Sequence, residues 1–139
     1  MAESLRLAEI RQRIGCRRDV KHVRINVGEI SGTHHRSTSV NGVPDLLMVV
    51  TVLGIGIAGG IEVKDRARCR CPALPTPPPP YCRLQSKPQR VAQRVLRGQG
   101  GICFVAHDAD EAESLLGFWI ERKRREICAH ACAGDGHGQ

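Results

Sequence analysis

Near the start of the chain, apolar residues recur every three or four positions. Leu7, Ile10 and Ile14 share one face of a helix predicted over 3–14, which Gly15 ends. The period then shortens to two. Val23, Ile25 and Val27 alternate with His22, Arg24 and Asn26, predicting a strand over 20–27 with Arg24 and Asn26 on one face. Residues 28–43 (GEISGTHHRSTSVNGV) carry the Gly, Ser, Thr and Asn of a loop. Residues 45–53 (DLLMVVTVL) form an apolar run rich in β-branched side chains, the pattern of a central strand buried on both faces. The glycines from Gly54 to Gly60 are expected to turn the chain. Residues 60–64 (GIEVK) then alternate again, with Ile61 and Val63 on one side and Glu62 and Lys64 on the other.

The stretch 65–83 (DRARCRCPALPTPPPPYCR) breaks both periods. Its prolines favour polyproline II and cannot enter a sheet interior, so it reads as an exposed insertion or spacer. Helical pattern resumes at Ser86, which has capping-box spacing to Gln89, with Pro88 tolerated in the first turn. Val91, Ala92, Val95 and Leu96 are expected to make the buried face of this helix, which ends near Gly98. Arg90, Arg94 and Arg97 form a basic stripe on another side. A strand follows over 102–106 (ICFVA). Asp108 and Glu111 then have N-cap and N3 spacing for a last helix, whose apolar face is Ala112, Leu115, Leu116, Trp119 and Ile120. The order is helix, three strands, helix, strand, helix, which predicts an α/β (α+β) fold with a mixed sheet flanked by helices. A single domain is expected over 1–126, with an insertion at about 67–84 and a flexible tail over 127–139.

The uncharged stretch Leu46 to Ile61 falls short of the ~20 apolar residues a spanning helix needs, and glycine fills its second half, so no membrane segment is expected. Charge adds a partner class. The 139 residues carry 21 Lys and Arg against 14 Asp and Glu, a formal net charge of +7, which favours an anionic partner such as nucleic acid. Aromatic residues are scarce, so contact with the phosphate backbone is favoured over base stacking. The chain begins MAESLRLAEI, without the apolar core of a secretory signal. Its seven cysteines, an odd number, therefore suggest free thiols in a reducing cytoplasm.

The chemistry-bearing residues flank the apolar strands. Asp45 follows Pro44 at the start of one strand, and Glu62 and Lys64 lie two apart on the next. A hairpin would bring Asp45 beside Glu62. Two converging carboxylates suit Mg²⁺, a hard cation that prefers oxygen ligands, and a neighbouring lysine can orient the attacking water or stabilise charge developing on phosphorus. Glu-x-Lys and Pro-Asp are each common by themselves; their placement on facing strands is what carries the reading.

These residues sit in segments that together resemble the VRR-NUC (virus-type replication-repair nuclease) branch of the PD-(D/E)xK superfamily. GVPDLLMVV and GGIEVKD resemble its catalytic strands, and RINVG at 24–28 the segment before them. SKPQRVAQRVLRGQGGICFV resembles the glutamine-bearing helix, Gly-Gly turn and final strand, and AEIRQRIGCRRDVKHVRINVG the N-terminal part of phage-type members. The resemblance covers roughly residues 7 to 117, broken at 67–84, where this chain departs from a short connection. Ile25 departs too, standing where the family carries Asn.

The resemblance implies a restriction-endonuclease-like αβββαβ core and a Mg²⁺-dependent deoxyribonuclease, with Mn²⁺ able to substitute. It implies metal binding by Asp45, Glu62 and the Val63 carbonyl, a catalytic Lys64, and a positioning role for Gln89. Glu9 is the candidate for the acidic residue of the first helix and a further metal ligand, with Glu3 its competitor. Arg24 and Asn26 match polar residues ahead of the strands and, with Arg90, Arg94 and Arg97, form the expected DNA-contacting set. Branched or flap DNA, a homodimer and a bacterial or phage-infected cytoplasm follow by analogy. The alternative is a non-catalytic DNA-binding module of the same fold.

Two rival patterns remain. Gly54, Gly56 and Gly59 spell G-x-G-x-x-G, but the dinucleotide reading needs a helix to begin there, and IEVK follows instead. The thiols raise a structural Zn²⁺ site, in which Cys69, Cys71 and Cys82 would join Cys128, His130 and Cys132, although paired C-x-x-C spacing is absent. His34 and His35, in the loop before Asp45, carry no assigned role.

Overall fold

The computed structural model describes residues 3–23, 42–74 and 81–134. Arg24, Asn26, His34 and His35 lie outside the described residues. The element order is α1 (Glu3–Gly15), β1 (Val20–Val23), β2 (Leu46–Val52), β3 (Ile55–Val63), α2 (Arg66–Cys69), α3 (Lys87–Gly98), β4 (Ile102–Ala106) and α4 (Ala109–Gly134). The strands form one mixed sheet in the order β1-β2-β3-β4. The first three are antiparallel neighbours, and β4 joins β3 in parallel after the α3 crossover. This is the mixed sheet flanked by helices that the periodicities predict.

The β2–β3 hairpin turns on two residues, not on the whole glycine run. Leu53 and Gly54 both take positive φ (51° and 79°), the backbone that the commonest tight hairpins require. The chain then re-enters the sheet at once, and β3 runs through Gly56, Gly59 and Gly60. The strand therefore begins well before residue 60, where alternation suggested. At Gly60 the missing side chain has a use: a Cβ there would stand 2.6 Å from Cγ of Pro44, the residue before Asp45.

The two faces of the sheet are unequal. Val20, Leu46, Met48, Val50, Val52, Ile61, Val63, Ile102, Phe104 and Ala106 pack against Ile10 and Ile14 of α1 and Ala112, Leu115, Leu116 and Ile120 of α4. Burial of these side chains is the main stabilising term of the fold. Among the described residues, the opposite face is covered by α3 over β3 and β4. Strand β2 is thus buried on one face alone, with Val49 and Thr51 exposed, which corrects the expectation of a doubly buried strand. An antiparallel hairpin partner satisfies its backbone without a helix above each face.

Two further expectations change. α4 continues to Gly134, so residues 127–134 belong to the helix rather than to a tail. Ion pairs one turn apart (Arg122–Glu126 and Arg125–Glu121) accompany this extension, each a modest contribution at the surface. The insertion is not wholly exposed either: Cys69 and Cys82 at its two ends are buried. Leu46 to Ile61 is split between two strands, and among the described residues no helix is long and apolar enough to cross a membrane.

Candidate functional site

Strand register places the first site. Leu46 pairs with Ile61, so the next step outward sets Asp45 opposite Glu62. The contact follows: the Val63 amide donates to Asp45 Oδ2 at 2.7 Å. Asp45 therefore clamps the end of β3 while remaining half-exposed. The period of two turns Val63 into the core and leaves Glu62 and Lys64 on the other face, as the sequence pattern requires.

Glu62 is buried to 3% exposure, unusual for a carboxylate without partners. It has partners. Lys64 Nζ lies 2.8 Å from Glu62 Oε1, and Gln89 Nε2 donates to the same oxygen. Gln89 reaches it from the first turn of α3, where the capping box forms as its spacing suggests. Ser86 Oγ accepts from the Gln89 amide at 3.3 Å, and the Ser86 amide donates to Gln89 Oε1 at 2.8 Å. Glu62, Lys64 and Gln89 thus meet at one end of the sheet, and Asp45 stands on the adjoining Val63 amide.

The remaining sequence-predicted residues are placed differently. Glu9 is exposed and lines a groove with Gln12, Arg13, Cys16 and Asp108 to Asp110, a set that includes none of these four residues. Arg90 and Arg94 are exposed on α3. Arg97 is not part of a free basic stripe: its Nε donates to the Cys103 carbonyl at 2.7 Å, and its guanidinium lies 5.0 Å from the Trp119 ring centroid. Burial pushes its pKa below the usual arginine value. It ties α3 to β4 and α4.

The buried side of α3 is also not the one its apolar residues suggest. Val91 and Val95 are exposed, whereas Gln93 is buried at 2%. Gln93 Oε1 accepts from Gln85 Nε2 at 2.7 Å, and Gln85 Oε1 accepts from the Cys82 amide at 2.9 Å. The helix is rotated so that Gln89 and Gln93, one turn apart, face the sheet. Polar partners already stand there, so burying Gln93 leaves no unmatched hydrogen-bonding atom.

A second constellation gathers around the ends of the insertion. Cys69, Cys71, Cys82 and His107 place their ligand atoms within 4.8 Å of one another. His107 follows β4 directly and was not singled out by sequence pattern; its only linear signal is the step from an apolar strand into the Asp108 cap. Cys128 and Cys132 are exposed on α4, and the His130 Nδ1 lies 2.7 Å from the Glu126 carbonyl oxygen. They take no part in this cluster. Cys103 is a separate buried thiol, as its apolar strand implies, and burial pushes it up to about 11.

Comparison with models of known protein families, with curated proteins and with solved structures found no match to this chain.

Proposed function

We propose that the chain is a divalent-metal-dependent nuclease that hydrolyses DNA phosphodiester bonds, with Asp45, Glu62, Lys64 and Gln89 at its centre. The observation that carries this reading is the contact of Glu62 with Lys64 and Gln89 at the end of β3, with the Asp45 carboxylate on the adjoining Val63 amide. The net charge of +7 fits an anionic substrate, and the four residues coincide with those that the VRR-NUC resemblance implies. Branched or flap DNA, in a bacterial or phage-infected cytoplasm, is the substrate and setting we assign by that analogy.

The donor set fits Mg²⁺ or Mn²⁺: Asp45 and Glu62 offer hard carboxylate oxygens from facing strands, with the Val63 carbonyl between Glu62 and Lys64 in the chain. A cation there would polarise the phosphoryl oxygen and lower the pKa of the attacking water. Lys64 holds Glu62 by its charge in the present arrangement. Were Glu62 to hold a cation, Lys64 would be the neighbouring ammonium able to stabilise charge developing on the phosphate. Gln89 keeps the Glu62 carboxylate aimed, because its own side chain is fixed by the helix cap. Glu9 has no role in this scheme as placed.

A second reading is favoured by the closed Glu62–Lys64–Gln89 cluster itself, which would serve equally as a buried structural ion pair in a non-catalytic DNA-binding module. Cleavage of flap and four-way DNA with Mg²⁺, Mn²⁺ or EDTA in parallel separates the two. We expect metal-dependent cleavage that Glu62→Ala abolishes together with calorimetric Mg²⁺ binding. Lys64→Ala should retain Mg²⁺ binding while turnover falls by at least ~10²-fold, the scale of a lost charge-stabilising donor. DNA binding without cleavage in any metal would establish the second reading.

A further inference from the structure

We propose that Cys69, Cys71, Cys82 and His107 bind one structural zinc ion, which fastens both ends of the Pro-rich segment to the end of β4. This inference is independent of the nuclease reading, since none of these four residues contributes to the Asp45–Glu62 site.

Among the described residues the cluster has the composition of a closed zinc site, three sulfurs and one imidazole. Thiolates are soft donors that select zinc over the hard cations suited to Asp45 and Glu62. In a tetrahedral site, Zn–S bonds of about 2.3 Å place sulfurs roughly 3.8 Å apart. Ligand atoms already within 4.8 Å of one another need only a small contraction to reach that geometry. Cys69 Sγ and His107 Nε2 stand 3.1 Å apart.

Each ligand is oriented by its surroundings. Asp65 caps α2, accepting from the Ala67 amide at 3.0 Å, and α2 delivers Cys69 at its last position. Arg70 then takes a left-handed backbone, φ 58°, which reverses the chain and brings the Cys71 amide 3.3 Å from Cys69 Sγ. A backbone N–H aimed at sulfur favours the thiolate. Cys82 is held through its own amide by the Gln85–Gln93 relay.

His107 carries the most telling feature. Its Nδ1 lies 3.0 Å from Glu111 Oε2, which also accepts from the His107 amide at 3.1 Å. A carboxylate on Nδ1 fixes the tautomer that leaves the Nε2 lone pair for a metal, the usual support of a zinc-bound histidine. Arg66 bonds Glu111 in turn and holds it in place.

The test uses the full chain purified under reducing conditions without added metal. Elemental analysis should find one equivalent of zinc per chain. Replacement by Co²⁺ should give the near-ultraviolet thiolate-to-cobalt bands and intense visible bands of a tetrahedral site. Cys82→Ser and His107→Ala should each lose the stoichiometric zinc, and Glu111→Gln should weaken zinc affinity by about 10- to 100-fold. Glu62→Ala should keep its zinc, which separates this site from the nuclease centre. Zinc content well below stoichiometry, with no thiolate–cobalt bands in the parent chain, would overturn the proposal. Full zinc retention in both ligand variants would overturn it too. If those variants fail to fold, the parent Co²⁺ spectrum still decides.

Discussion

Gln89 serves two partners with one amide. Its oxygen closes the α3 cap on Ser86 and its nitrogen holds Glu62. Gln89→Glu separates these roles, because a carboxylate still accepts from the Ser86 amide but faces Glu62 with like charge. Like charge raises a carboxylate's pKa and disfavours its ionised form. We expect Gln89→Glu to retain the helix by circular dichroism while cleavage falls and its pH profile moves upward. Gln89→Ala should also cost about 1 kcal/mol of stability by removing the acceptor of the Ser86 amide, while Ser86 Oγ still caps the residue-89 amide, read from urea denaturation. A Gln89→Glu protein that cleaves like the parent would show that the side chain serves the cap alone.

At the scale of the element, α3 reverses the usual reading of an amphipathic helix. Its valines at 91 and 95 face solvent and Gln93 is buried. Gln93→Leu removes the acceptor of Gln85 Nε2 and leaves a buried amide donor short of a partner, at a cost of about 1–3 kcal/mol. Val95→Lys should change stability by no more than about 0.5 kcal/mol, as an exposed substitution does. Denaturation midpoints compare the two directly. The opposite ranking would mean that the apolar side of α3 is the one packed. The same relay ends on the Cys82 amide, so Gln93→Leu should also loosen the thiol cluster.

Across the whole molecule, the excess positive charge is divided between cations held in the fold and cations open to a partner. Arg97 is engaged by Cys103 and Trp119, and Arg66 by Glu111, whereas Arg90 and Arg94 are exposed beside Gln89. If DNA lies over the α3 end of the sheet, replacing Arg90 and Arg94 with Gln should lower affinity. It should also flatten the plot of log affinity against log salt, by about one unit of slope for each phosphate those arginines neutralise. Arg97→Gln should instead act on stability, leaving the slope near the parent value. An unchanged slope in the Arg90 and Arg94 variant would move the DNA-binding surface to another face.

The sequence by itself determined what depends on neighbours along the chain. The segment ICFVA read as β4, period-two alternation separated Glu62 and Lys64 from Val63, and spacing alone identified the Ser86–Gln89 cap. It also supplied Asp45 and Glu62 as residues that a hairpin would bring together, and the register confirms that pairing. Tertiary structure decided what depends on which face another element covers. The one-sided burial of β2 and the inward turn of Gln93 follow from where α3 lies, and composition cannot report that. Arg97 left the basic stripe for the same reason, since its partners lie on β4 and α4. The Cys–His cluster is the extreme case. Its ligands span residues 69 to 107, and only the parallel pairing of β3 with β4 brings His107 to the thiols that follow β3. A ligand set assembled across a crossover leaves no fixed spacing in the chain to read.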